Sequence, residues 1–258
     1  MFGFKKRRRE KMRRRPFPPA WRKIIEKNVP YFRKLSPADQ EELLGDIQVF
    51  LAEKHFEGCG GLTMTDEIRV TVAAQACVLL LHRENDDYPG LESILVYPHP
   101  YRAVGKRSTP EGFIEEHRQV RGGESFSRGA VVLAWDEVKK GAADIRDGHN
   151  VVFHEFAHQL DQQSGTADGT PVLEKRSAYP VWARVLGEEY DRLIGDIHRN
   201  RPTDIDPYGA VSPAEFFAVI SEYFFERSRA LKKKHPDLYR ALKEFYRQDP
   251  AASNSDTV

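Results

Sequence analysis

Apolar positions recur first at helical spacing, then in short β-branched runs, then at helical spacing again, so the chain reads as helices, strands and helices in that order. Ser36-Pro37-Ala38-Asp39 supplies an N-cap, a proline suited to the first helical turn and an early acid, and Leu43, Leu44, Ile47 and Leu51 follow on one face. This predicts an amphipathic helix, broken by Gly58-Cys59-Gly60-Gly61. Thr65, Asp66 and Glu67 open a second helix through Val72, Ala76 and Leu79 to Leu81, and its all-round apolarity predicts burial. A shorter amphipathic helix is read from Trp21 through Lys27, between the stiff Pro16 to Pro19 spacer and Pro30. Ser93 to Tyr97 and Ala130 to Trp135 have the length and side chains of strands, with a hairpin region expected between them. No fixed-period repeat is visible.

Composition narrows this picture. With 258 residues, 40% of them hydrophobic, the chain can bury one substantial core but would be cramped as two full-sized domains. The longest apolar run, Val70 to Leu81, is too short to cross a bilayer and is interrupted by Thr71 and Gln75. The N-terminus is basic from Lys5 onward and lacks the apolar core of a signal peptide, so no transmembrane segment and a cytoplasmic location are expected. Cys59 and Cys77 are the only cysteines and form no CxxC pair, which argues against a disulfide framework or a cysteine-rich zinc site. The formal charge of +1 conceals an asymmetry, because residues 1 to 16 hold nine Lys or Arg against Glu10, a local +8 that leaves −7 on the rest. Residues 1–19 are accordingly expected to be a basic, disordered tail, with contact to nucleic acid or anionic lipid as a subordinate reading. Residues 20–258 are expected to form a single domain, helical over about 20–84 and catalytic over about 90–250.

The chemistry concentrates at Val151-Val152-Phe153-His154-Glu155-Phe156-Ala157-His158-Gln159-Leu160-Asp161, which contains HExxH. Histidines four apart share one helical face, with Cβ atoms about 5–6 Å apart, so two imidazoles can converge on one zinc. Glu155 follows the first histidine and is suited to take the proton of a zinc-bound water. The bland alternative is two histidines packed on an amphipathic helix. The apolar neighbours Phe153, Phe156, Ala157 and Leu160 weigh against it, since paired buried imidazoles without a partner are costly.

A catalytic zinc needs a third protein ligand and an open position. The short-spaced third histidine of HExxHxxGxxH is absent, the next histidine being His198. Carboxylates are the better candidates: the helix opened by Ser212-Pro213-Ala214-Glu215 carries acids at 215, 222 and 226. Ser-x-x-Glu is equally the signature of a capping box, and Glu222 sits inside an aromatic helix where an unpaired acid would be expensive. Periodicity leaves Glu215 and Glu222 level.

HEFAHQLD at 154–161, DPYGAVSPAEFFAVISEYFF at 206–225, ILVYPHPY at 94–101 and VVLAWDEV at 131–138 resemble the Mlc titration factor A family of bacterial zinc peptidases. The likeness runs from the helix at Ser36 to the QDP near the end and leaves the basic tail outside. A more distant similarity is to the catalytic domain of the lethal-factor protease, where a tyrosine lies seven positions before a glutamate ligand, as Tyr208 does before Glu215. The resemblance implies one zinc per chain held by His154, His158 and Glu215, Glu155 as general base, and Tyr208 as a stabiliser of the tetrahedral oxyanion. It also implies Glu222 as a supporting acid, aminopeptidase-like action on small substrates, and binding of the glucose-responsive repressor Mlc; Asp161 either orients a ligand histidine or simply terminates the helix. The expected fold is α+β and zincin-like: N-terminal helices, a small mixed sheet over about 92 to 135, an HExxH helix against it, and C-terminal helices supplying Glu215. A peptide substrate is expected to add as a strand beside Ala130 to Trp135. The rival is a non-catalytic zinc-containing protein that sequesters a transcription regulator.

Overall fold

A computed structural model describes residues 2–83, 88–108, 114–126 and 129–252. The elements in chain order are α1 (Phe2–Arg13), α2 (Pro19–Asn28), α3 (Pro37–Glu53), β1 (His55–Gly58), α4 (Asp66–Val78), β2 (Ser93–Tyr97), β3 (Tyr101–Ser108), β4 (Ile114–Arg121), β5 (Gly123–Phe126) and β6 (Ala130–Ala134). They continue with α5 (Trp135–Ala143), α6 (Val151–Asp161), α7 (Tyr179–His198), α8 (Pro213–Glu226), α9 (Ser228–Lys234) and α10 (Pro236–Tyr246). The result is a helix-rich α+β fold around a small mixed sheet.

Local chemistry accounts for most boundaries. Ser36 caps α3 by accepting from the Asp39 amide, and Thr65 caps α4 by accepting from the Ile68 amide. Every residue from Val70 to Val78 in α4 is buried, as its uniform apolarity predicts. α4 links β1 to β2 as a crossover, which makes that pair parallel.

The sheet runs in the order β1-β2-β6-β5. β1, β2 and β6 are parallel, while β5 closes the row antiparallel to β6, with Gly123 opposite Leu133 and Phe126 opposite Ala130. β1 is a strand that the sequence reading missed, because four residues beside a glycine cluster show no apolar alternation. The expected hairpin is present as the antiparallel pair β3–β4, a two-stranded sheet of its own. One expectation is overturned here: Ala130 to Ala134 cannot accept a substrate strand, since β6 is paired on both sides, and β5 is the edge.

The basic arm is also not disordered along its length. Residues 2–13 form α1, docked on α3 by Arg9 to Glu53 at 2.5–3.0 Å and Arg13 to Asp46 at 2.7 Å. Composition treated the arginines as solvated charges; the structure gives two of them acids on α3 to neutralise, the buried Asp46 and the partly buried Glu53. No helix among the described residues is long and apolar enough to cross a membrane.

α6 lies under the sheet and packs against α8, with Phe153 and Phe225 ring centroids 5.2 Å apart and Phe156 against Tyr88 at 4.9 Å. Each such fully buried aromatic contributes roughly 1.5–3 kcal/mol through the water it sheds. This packing fixes the two helices that carry the candidate site.

Candidate metal centre

Asn150 starts α6. Its Oδ1 accepts from the amides of Val152 (3.1 Å) and Phe153 (3.0 Å), and its Nδ2 donates to Gln75 Oε1 (3.0 Å) and Glu226 Oε1 (3.1 Å). A side chain so held has no freedom to rotate, and it sets where the helix begins. The sequence reading passed over it, although an Asn directly before an apolar helical run is an N-cap signal.

One turn in, His154 and His158 stack along the same face with ring centroids 4.9 Å apart and planes at 80°. Across from them is the first turn of α8. Ser212 Oγ accepts from the Glu215 amide at 3.2 Å, so the serine half of a capping box is present. The Glu215 carboxylate turns to the imidazoles instead: its Oε2 lies 3.0 Å from His154 Nε2 and 3.4 Å from His158 Nε2. The two readings of Ser-x-x-Glu thus apply to different atoms of the same motif.

Glu222, two turns further along α8, reaches the other nitrogen of His154, with Oε1 2.7 Å from Nδ1, while its Oε2 accepts from the Asn150 amide at 2.5 Å. Gly169 steers the loop into α8: its amide donates to Asp161 Oδ2 at 2.9 Å, its φ is +78°, and an added Cβ would lie 2.5 Å from the Pro213 carbonyl oxygen. Asp161 therefore holds this loop rather than hydrogen-bonding to His158, which corrects the expectation that it orients a ligand.

Three donor atoms, from His154, His158 and Glu215, lie within 4.8 Å of one another. Donors about 2.0–2.1 Å from a tetrahedral zinc are separated by roughly 3.3 Å, a spacing that the 3.0 and 3.4 Å distances match. Two imidazoles and one carboxylate suit zinc chemically, and Glu222 behind His154 is the acceptor that a ligating histidine uses to fix its tautomer. The residues fit the ion.

The electrostatics point the same way. Burial lowers the His154 pKa, but the carboxylates of Glu215 and Glu222 outweigh it and hold the imidazole well above its ordinary value. Burial raises the Glu215 carboxyl, yet the hydrogen bonds from His154 and His158 prevail and bring it down to about 2. Carboxylates that stay ionised against the imidazoles favour positive charge between them. Glu155 lies against β5. Burial pushes its carboxyl up to about 7, and a Cβ on Gly123 would sit 2.7 Å from its Oε1. Gly123 lets the edge strand close over Glu155, and nothing in the hydrophobic pattern marked it.

Tyr208 lies in a short 3-10 turn whose amide is capped by Asp206 at 2.7 Å, with its ring centroid 6.0 Å from that of His154. It is 52% exposed, so its ring stands at the mouth of the site. A second group, Asp39, Glu42 and His82, also has metal-type donors within 4.8 Å. There, however, both His82 nitrogens meet oxygen acceptors, Asp39 Oδ1 at 2.7 Å and the Arg247 carbonyl at 2.9 Å, which suits an imidazolium ion pair. A concavity of about 610 Å³ between α7 and α10, floored by Trp182 and Phe245, is lined by none of the four residues of the centre.

The profile of the glucose-regulated metallo-peptidase M90 family matches residues 4–247, so the match takes in most of the basic arm that the sequence resemblance had left out. An uncharacterised protein of Synechocystis sp. is 42% identical over 245 residues, covering 94% of this chain and 89% of its own. Mlc titration factor A of Pectobacterium atrosepticum is 33% identical over 235 residues, 90% of this chain and 87% of its own. Mlc titration factor A of Yersinia pestis is 30% identical over 228 residues, with 87% and 83% covered.

Proposed function

The chain belongs to the glucose-regulated metallo-peptidase M90 family, and from that premise we propose that it is a zinc-dependent peptidase whose single zinc is held by His154, His158 and Glu215. The observation that carries this reading is the convergence of those three donors beside a buried Glu155. When bound, zinc supplies a Lewis acid that polarises the scissile carbonyl and lowers the pKa of an attacking water to about 7.

The chain's own residues do the rest. Glu155, its carboxyl pushed up to about 7 by burial, takes the water's proton and returns it to the leaving amine. The Tyr208 hydroxyl donates to the oxyanion as it develops, a bond worth more in a cleft than in bulk water. Glu222 holds His154 in the tautomer that leaves Nε2 as donor to the ion. An extended peptide pairs with the β5 edge, which brings its carbonyl over α6. Aminopeptidase-like action on small substrates is the substrate class we propose, and the cytoplasm is the compartment.

The name shared by the Pectobacterium and Yersinia relatives, Mlc titration factor A, favours a second reading in which the protein binds a transcriptional repressor of that kind, with or without turnover. Glu155 separates the two, because a purely structural zinc has no need of a buried base beside its first ligand.

The test is hydrolysis of a panel of chromogenic amino-acid and peptide amides by zinc-quantified protein, beside Glu155→Gln and a chelated, zinc-restored sample. Activity should require both zinc and Glu155, with the variant retaining its metal and losing on the order of 10²–10⁴ in rate. A zinc-loaded wild type inert on the whole panel would favour the sequestering role.

A further inference from the structure

At the C-terminal end of α8 is a second cavity, of about 220 Å³, whose walls carry Lys34, Arg146, Arg227 and Arg229 around the buried acid Glu226. Several cations of this fold have a carboxylate in reach, as Arg9, Arg13 and Lys27 do. Among the described residues, Lys34, Arg146 and Arg227 have none within ion-pair distance. Lys34 lies 5.4 Å from the centre of the Tyr31 ring and Arg227 5.0 Å from that of Tyr223, so both are steered by aromatic faces.

Glu226 itself is turned to the protein interior. Its Oε1 accepts from Asn150 Nδ2 and its Oε2 from the Gly148 amide, each at 3.1 Å, so both oxygens are spent on the protein interior. Like charges held together around a concavity cost energy in the free protein, a cost that an anion seated there relieves. Lys34 feels both signs: burial, then Arg146 and Arg229, lower its pKa, while Glu226 works against them.

We propose that this cavity is a binding site for a small phosphate-bearing anion, gripped by Lys34, Arg146, Arg227 and Arg229. Guanidinium forks match phosphate oxygens in pairs, and the lysine adds a point charge. A cavity of about 220 Å³ has room for a phosphate group with a small organic body, while the Tyr31 and Phe225 walls offer that body apolar contact. The site is also wired to the metal centre through hydrogen bonds: Asn150 Nδ2 donates to Glu226, the Asn150 amide donates to Glu222, and Glu222 meets His154 Nδ1. An anion there adjoins the chain that orients the first histidine. The inference does not depend on peptidase activity, since binding alone is measured.

Inorganic phosphate and phenyl phosphate are titrated separately into the full chain by calorimetry, at constant ionic strength in a chloride buffer. Saturable binding of one anion per chain is expected, weakened about tenfold or more by Arg146→Ala and by Lys34→Met, and unchanged by Arg184→Ala. Tighter binding of phenyl phosphate identifies a phosphomonoester site; equal or tighter binding of inorganic phosphate identifies a site for the free ion. Absence of saturable binding to both ligands overturns the proposal. So does binding that Arg146→Ala and Lys34→Met leave at wild-type affinity, because the anion would then sit elsewhere, as at the histidines.

Discussion

Glu222 offers the sharpest test of how the metal centre is held. Its two oxygens serve two donors, His154 Nδ1 at 2.7 Å and the Asn150 amide at 2.5 Å, and it is 6% exposed. The amide can only donate. If His154 presents Nε2 to zinc, Nδ1 carries the proton and is a donor as well. Glu222→Gln keeps the shape but offers one carbonyl oxygen and one NH₂, so it satisfies one donor and turns its own N–H toward the other. Loss of such an orienting acceptor weakens metal binding about 10- to 100-fold, equivalent to roughly 1.4–2.7 kcal/mol. The donor left buried and unpaired destabilises the fold by about 1–3 kcal/mol besides. A competition titration against a chromophoric chelator measures the first quantity and urea unfolding of metal-free protein the second. Glu155→Gln serves as the reference, since it is nearly isosteric and leaves His154, His158, Glu215 and Glu222 in place. Zinc affinity in Glu222→Gln equal to wild type would refute the claim that Glu222 sets the tautomer of a ligating His154.

Three other outcomes follow from particular distances. Gly123→Ala places a methyl 2.7 Å from Glu155 Oε1 and from Val151 Cγ2, so kcat should fall on the order of 100-fold with zinc content unchanged; steady-state kinetics and metal analysis would expose the opposite pattern. Burial raises Glu226 to about 8, so between its unfolded value of about 4.3 and that point the folded chain keeps a proton that the unfolded chain has lost, and stability falls as pH rises through this window. Glu226→Gln cannot ionise and should flatten that slope in denaturant midpoints measured on metal-free protein; an unchanged slope excludes Glu226 as its source. Deleting residues 1–15 strips Arg9 from Glu53 and Arg13 from Asp46, which should cost about 1–3 kcal/mol for the buried Asp46 and less for the partly buried Glu53, and a melting temperature equal to that of the full chain would show α1 to be dispensable.

Arg9 itself pulls the Glu53 carboxyl down to about 2, the chief cause being their hydrogen bond. The full chain should therefore lose this contribution only as pH falls below the ordinary carboxylate range toward 2, and the truncated chain should lack that acid limb.

Whatever rests on neighbours within a turn or two was legible from residues alone. Caps at Ser36 and Thr65, the buried face of α4, strands β2 and β6, and the pairing of His154 with His158 all follow from local spacing, because helix and strand periods oblige certain side chains to share a face. Long-range closure was not. Nothing local distinguishes the carboxylate of Glu215 from that of Glu222, and only the crossing of α6 and α8 gives one to Nε2 and the other to Nδ1 of the same imidazole. Nor could a pattern reveal that β5 and not β6 is the sheet edge, that Gly123 is bare so that Glu155 fits beneath it, or that Arg9 finds Glu53 across 44 residues. The sequence by itself determined the chemistry available, two histidines and a set of acids on apolar helices. The tertiary structure decided which acid meets which nitrogen, since that choice depends on how two helices cross and not on the spacing within either.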